Sequence, residues 1–134
     1  MAMALINYAQ LYYGSIGKID APPVIAGKFV QIRNETTEYL VFSPKEFTKY
    51  HANIVERFCL DSGLEGAYDF EGKIYNIADR AWTVTGGGKY VINTTQKTVR
   101  LYDESQAYGK FPTQGLRDAL LSLPEFAGFT VLVE

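Results

Sequence analysis

Histidine and cysteine are nearly missing from this chain: its 134 residues include one of each, His51 and Cys59, beside one tryptophan and two methionines. A single cysteine cannot close an intramolecular disulfide, so the chain reads as a cytoplasmic protein of a reducing compartment. One histidine and one cysteine on the same stretch do not make a zinc site, and no metal or other cofactor is expected, although carboxylates could still hold a hard cation. Long apolar runs are also absent. Met1-Ala2-Met3-Ala4-Leu5 is followed by Asn7, Tyr8 and Gln10, which fits neither a signal peptide nor a membrane span. Positive charge is not in surplus: 13 Lys and Arg face 15 Asp and Glu, for a net charge of -2, and the basic residues are scattered. That leaves no electrostatic footprint for nucleic acid, and neither nucleic acid nor membrane is expected as a partner. There is no internal repeat, low-complexity tract or linker.

What is there is a folded core. Hydrophobic residues make up 47% of the chain, with ten Tyr and eight Phe, enough for one ordered domain over residues 1–134 without disulfide or metal. Lys28–Arg33 and Tyr39–Phe42 are β-rich runs around a polar turn, as are Tyr90–Ile92 and Thr98–Tyr102 around residues 93–97. Leu116, Ala119, Leu120 and Leu123 mark a helix ended by Pro124, and Phe129–Val133 supplies a last strand. Leu5–Tyr13 and Ile74–Val84 are strand-like but less regular. The pattern predicts an α+β domain: a single mixed sheet of about six strands with two helices packed on it.

The other predicted helix surrounds His51. Ser43 is placed to cap, Pro44 suits a first helical position and Glu46 completes a capping box, so the helix is expected to begin at Pro44 and stop at Gly63. Phe47, Tyr50, His51, Ile54, Val55 and Phe58 recur at helical spacing, which sets His51 on or beside the buried face in the first half of the helix. Imidazole changes charge near neutral pH and can act as nucleophile, base or acid, so His51 is the first candidate for proton-transfer chemistry. A satisfied structural histidine is the plain alternative. Cys59, helical and partly apolar in setting, is a poor nucleophile.

Two small-residue segments could meet an anion. Gly86-Gly87-Gly88-Lys89 opens a strand, and its glycines let backbone approach a ligand or aim N–H groups at one; it could equally be a simple turn. Ser105-Gln106-Ala107-Tyr108-Gly109 follows a strand and could form a backbone nest or only a tight connection. Neither has P-loop or Rossmann spacing.

In this order the blocks resemble the Janus/Ocnus family, whose best-known type is a small protein phosphohistidine phosphatase. Lys28-Phe29-Val30-Gln31-Ile32-Arg33 is similar to the family's Lys-aromatic-Val-x-Ile-Arg strand, and Tyr50-His51-Ala52-Asn53-Ile54 to its Tyr-His-Ala-Asp-Ile motif. Gly86-Gly87-Gly88-Lys89 resembles Gly-Gly-Gly-Arg, and Ser105-Gln106-Ala107-Tyr108-Gly109 resembles Ser-Met-Ala-Tyr-Gly. The resemblance spans roughly Lys28 to Val133.

The resemblance implies a metal-independent phosphohistidine or phosphoramidate phosphatase with His51 as the catalytic group, acting as nucleophile or general base. It implies that Lys28, Lys89, Gly86, Ser105, Gln106 and Ala107 bind substrate or phosphate, and that the partner is a phosphohistidine-containing protein or a small phosphoramidate. Three departures matter. The family's anion-site arginine aligns with Ser43, Lys89 replaces the arginine after the glycines and loses its bidentate fork, and the segment between Gly63 and Gly86 is longer than in the family's animal phosphatase. A phosphate- or phosphopeptide-binding module that keeps the fold without catalysis is the alternative those departures suggest.

Overall fold

The computed structural model describes residues 1–17 and 20–134. Its frame is one mixed sheet of six strands: β1 (Ala2–Asn7), β2 (Val24–Arg33), β3 (Thr37–Pro44), β6 (Thr83–Asn93), β7 (Thr98–Tyr102) and β8 (Thr130–Val133), in the spatial order β1-β3-β2-β6-β7-β8. The four inner strands pair antiparallel, and the edge strands β1 and β8 add in parallel to β3 and β7. A small hairpin, β4 (Gly66–Tyr68) with β5 (Tyr75–Ile77), stands apart from the main sheet. Helices α1 (Ala9–Ser15), α2 (His51–Ser62) and α3 (Leu116–Leu121) complete the α+β fold, with a 3-10 turn at Pro124–Phe126.

Side chains alternate across a strand, so one sheet feeds two cores. Phe29, Leu40, Phe42, Tyr90 and Ile92 face α3 and the 3-10 turn, packing with Phe111, Leu116, Leu120 and Phe126. Val30, Ile32 and Val41 face the other way, against Ile54, Val55, Phe58 and Cys59 of α2 and Tyr75 of the hairpin. Each fully buried Phe, Leu or Ile contributes about 1.5–3 kcal/mol of hydrophobic stabilisation. α2 is therefore fixed by its buried stripe.

The expected start of that helix is wrong by seven residues. Pro44 does not begin a helix; it ends β3, paired opposite Gly27, where a side chain would collide with the Ser43 carbonyl and Pro44. The Ser43 hydroxyl is buried and bonded to Thr48, and Lys45–Phe47 form a turn. Sheet pairing has outcompeted a local capping signal. The helix starts at His51 after Tyr50, with the Asn53 side-chain oxygen accepting the Tyr50 N–H at 3.1 Å. It ends where expected, at Gly63 in the left-handed conformation (φ 70).

Two strand-like stretches are also redrawn. Leu5–Tyr13 divides into the end of β1 and most of α1, and Ile74–Val84 divides into β5, a turn and the start of β6. The three glycines lie within β6, not at its entry.

Candidate active site

His51 is the first residue of α2 and is 7% exposed. Its Nε2–H donates to the Gly88 carbonyl at 2.9 Å. A carbonyl can only accept, so the neutral ring carries its proton on Nε2 and its lone pair on Nδ1. Nδ1 has no partner among the described residues, yet it is not one of the buried unsatisfied atoms, which are Gln31 Oε1 and Tyr90 OH. It thus keeps solvent contact. The pKa of His51 is lowered from the ordinary 6.5, first by burial, with Lys28 and Lys89 adding to the effect and the Gly88 bond and Asp103 opposing it. The positive end of α2 acts in the same direction. The result is a neutral, oriented imidazole with one nitrogen available.

Gly87 makes room for the ring. A Cβ there would lie 2.6 Å from the Phe29 carbonyl oxygen, 2.9 Å from His51 Cδ2 and 3.2 Å from Ser105 Cβ. Alternation places Lys89 on the same face as Gly87, and register sets Lys28 directly across from Lys89. Lys28, Lys89, Ser105 and His51 therefore share one face of the sheet. Gly86 and Gly88 point the other way: side chains there would strike the Lys110 backbone and the Phe111 ring. The structure gives Gly86 a close-packing role on the far face and does not bring it to His51.

The cations are held unequally. Lys28 Nζ donates to the Lys49 carbonyl at 2.8 Å and lies 5.6 Å from the centre of the Tyr50 ring, with Lys49 Nζ at 5.3 Å. Lys89 is paired with Asp103 at 3.1 Å, and that bond, the first of several causes, holds the Asp103 carboxyl below its ordinary range. Lys28 meets no carboxylate among the described residues.

The serine loop is a closed turn. Ser105 N–H donates to the Gly109 carbonyl at 3.2 Å, Gly109 N–H returns to Ser105 O at 2.8 Å, and Ser105 Oγ accepts the Tyr108 N–H at 3.0 Å. The Ser105 N–H is therefore occupied, whereas those of Gln106 and Ala107 have no acceptor among the described residues. Tyr108 anchors the loop. Its phenol donates to the Tyr75 carbonyl at 2.8 Å and accepts the Tyr75 N–H at 2.9 Å, and burial pushes its pKa up to about 12. The β4–β5 hairpin, between Gly63 and Gly86, thus holds the loop in place.

His51 is not among the residues lining the hollows of about 360 Å³ beside α2 and about 300 Å³ beside α3. The glycine segment and Tyr50 are marked in the sequence, but not the contacts of Gly87, Gly88 and Tyr50 at the site, and Lys49 and Asp103 carry no such mark. The adjacency of Lys49 and Tyr50 to His51 was the available signal; the tautomer-setting carbonyl of Gly88 left none in the side-chain sequence. Cys59 is fully buried and burial raises its pKa, consistent with an inert thiol. No helix of the described residues is long and apolar enough to cross a membrane.

No curated protein matches the chain. A family comparison does, over residues 27–129, a span that holds Lys28, His51, the β6 glycines and the serine loop together. On that match the chain belongs to the Janus/Ocnus family.

Proposed function

We propose that this chain is a metal-independent phosphatase of phosphohistidine or a related phosphoramidate, centred on His51. The observation that carries this is the bond from His51 Nε2 to the Gly88 carbonyl, which leaves a lone pair on a solvent-reaching Nδ1, with the Lys28 ammonium close enough to lower the ring's pKa. A P–N bond breaks readily once its nitrogen is protonated and the phosphoryl charge is balanced. Either Nδ1 attacks phosphorus as the P–N bond breaks, solvent protonates the leaving nitrogen and water then releases phosphate from His51, or Nδ1 takes a proton from a water whose oxygen attacks phosphorus as the P–N bond breaks and the nitrogen leaves with a proton from solvent. Lys28 and the unengaged N–H groups of Gln106 and Ala107 are the groups suited to developing phosphoryl charge, and Lys89 and Ser105 assist through placement and packing. Phosphohistidine proteins and small phosphoramidates are both chemically suitable substrates, and a cytoplasmic setting suits the lone buried thiol.

A second reading, a phosphate- or phosphopeptide-binding module without turnover, draws on Lys89 being neutralised by Asp103 and on Ser43 standing buried where the family has an arginine. Hydrolysis of a phosphohistidine peptide in the presence of chelator, against a phosphoserine control, separates the two. We expect turnover by the wild type and none by His51→Gln, whose amide can still donate to Gly88. Full activity in folded His51→Gln would remove the mechanism; saturable phosphopeptide binding without turnover in the wild type would establish the module. Lys28→Ala should weaken vanadate binding about tenfold or more and Lys28→Arg less, because a charge-assisted contact is lost in one and retained in the other.

A further inference from the structure

We propose that the 360 Å³ hollow on the outer face of α2 is a subsite for the chain of a phosphoprotein substrate, taking an acidic and apolar peptide segment that flanks the phosphorylated residue. This rests on the phosphoramidate reading of His51 and deepens it by giving the substrate a recognition element outside the phosphoryl group.

The hollow is lined by Phe47, Lys49, Asn53, Glu56, Arg57 and Leu60, with Thr48. Asn53, Glu56, Arg57 and Leu60 are spaced three and four apart, so they form one ridge on the helix whose opposite side is buried. The apolar element is available: Leu60 is 71% exposed, and Phe47 contributes its ring. Arg57 lies 4.5 Å from the Phe47 ring centre, which keeps a guanidinium stacked over an apolar floor. The one carboxylate of the hollow, Glu56, is engaged by the Tyr68 hydroxyl at 2.8 Å, and Asn53 donates to that same hydroxyl. Lys49 and Arg57 have no carboxylate partner among the described residues. On a chain whose net charge is -2, this gives a local surface suited to an acidic ligand.

Continuity with the candidate active site comes through Lys49. Its side chain lines the hollow, its ammonium sits beside Tyr50, and its carbonyl holds Lys28. Leu60 lies nine positions along α2 from His51, about 13 Å at the helical rise. An extended peptide covers that distance in about four residues. The recognised acidic and apolar residues are therefore expected within about four positions of the phosphorylated one. A segment bound there would add affinity beyond that of the phosphoryl group alone.

The test compares two substrates: phosphoramidate itself, and a phosphohistidine peptide carrying Glu-Glu-Phe two to four residues away, made with the motif on either side. Arg57→Gln and Leu60→Gln should raise KM for one of the peptides about tenfold while leaving its kcat and all phosphoramidate kinetics unchanged. Replacing Glu-Glu by Lys-Lys in the peptide should abolish the advantage that Arg57 confers. An unchanged peptide KM in both variants, or equal loss on both substrates, would overturn the subsite. Should the wild type hydrolyse neither substrate, the phosphatase reading fails by itself. Fluorescence anisotropy of the same peptides then judges the subsite: weaker binding to Arg57→Gln supports it and unchanged binding overturns it. Concentration-dependent dimerisation abolished by Arg57→Gln and by Phe70→Ala would assign the hollow to a second copy and also overturn it, since Phe70 is a fully exposed ring between Asp69 and Glu71.

Discussion

At His51 burial and orientation act on the same atom group, and each has its own measurable consequence. The imidazole's pKa is lowered from 6.5, chiefly by desolvation, so below that pH the unfolded chain binds a proton that the native chain resists. Stability should therefore rise with pH through the window just below 6.5 and level off above it. The contribution is present at neutral pH and lost on acidification. Urea unfolding of wild type and His51→Gln between pH 5 and 8 isolates the effect, because the lowered carboxyls, Asp69, Asp103 and Glu134, are common to both proteins. The stability difference should shrink as pH falls; a difference that widens would contradict a buried neutral ring. Orientation is tested at Gly87. Adding a methyl there meets the Phe29 backbone as well as the His51 ring, so the imidazole alone cannot relieve the clash. Gly87→Ala should cost about 1–3 kcal/mol as an overpacked site and reduce phosphoramidate turnover by more than its loss of stability explains. Undiminished kcat in Gly87→Ala would show that ring placement is not limiting.

Among the elements, α2 shows which local signals survive tertiary context. Its C-terminus was legible because Gly63 needs a left-handed conformation that no neighbouring contact can change, and a Cβ there meets nothing within 4 Å. Gly63→Ala should therefore lose about 1–2 kcal/mol from backbone strain alone, seen as a lower urea midpoint with an unchanged slope, and keep activity at low temperature. No loss of stability would mean the helix end readjusts freely. Its N-terminus was misjudged because Ser43, Pro44 and Glu46 carry a genuine capping pattern, whereas pairing of β3 with β2 runs on to Pro44 opposite Gly27. The strand Thr98–Tyr102 was legible to its exact ends, since alternating apolar residues are bounded by polar turns. β6 was read too short for the converse reason: glycine lacks the branched side chain that signals a strand, and Gly86–Gly88 are strand residues through their pairing with Phe29–Gln31, while the Lys110 backbone, His51, Ser105 and Phe111 fill the space a side chain would need. Of the candidate site, side chains could be named from sequence; the carbonyl of Gly88 and the Tyr108–Tyr75 clamp could not, because they arise from pairings far apart in the chain.

Over the whole molecule, the sheet divides the candidate site from the larger core while joining both to one backbone. His51, Lys28 and Ser105 stand on one face of β2 and β6; Phe111 presses on the other, with its ring 4.9 Å from Phe29 and immediately beneath Gly88. The residue that orients His51 through its carbonyl is thus the same residue whose missing side chain admits Phe111. Rigid strands transmit such packing without a large change of shape, and the two faces should fail together on unfolding but differ in their effect on chemistry. Phe111→Ala removes a ring that is 1% exposed and should cost about 3–5 kcal/mol by creating a cavity. Where the variant remains folded, at low temperature and without denaturant, the β6 backbone still pairs with β2, so the His51–Gly88 bond and phosphoramidate turnover should be retained to within a fewfold. Thermal unfolding should show one cooperative transition shifted to lower temperature. A folded Phe111→Ala protein with turnover as low as that of His51→Gln would instead mean that the far core sets the height of β6, and with it the position of the carbonyl on which the His51 tautomer depends.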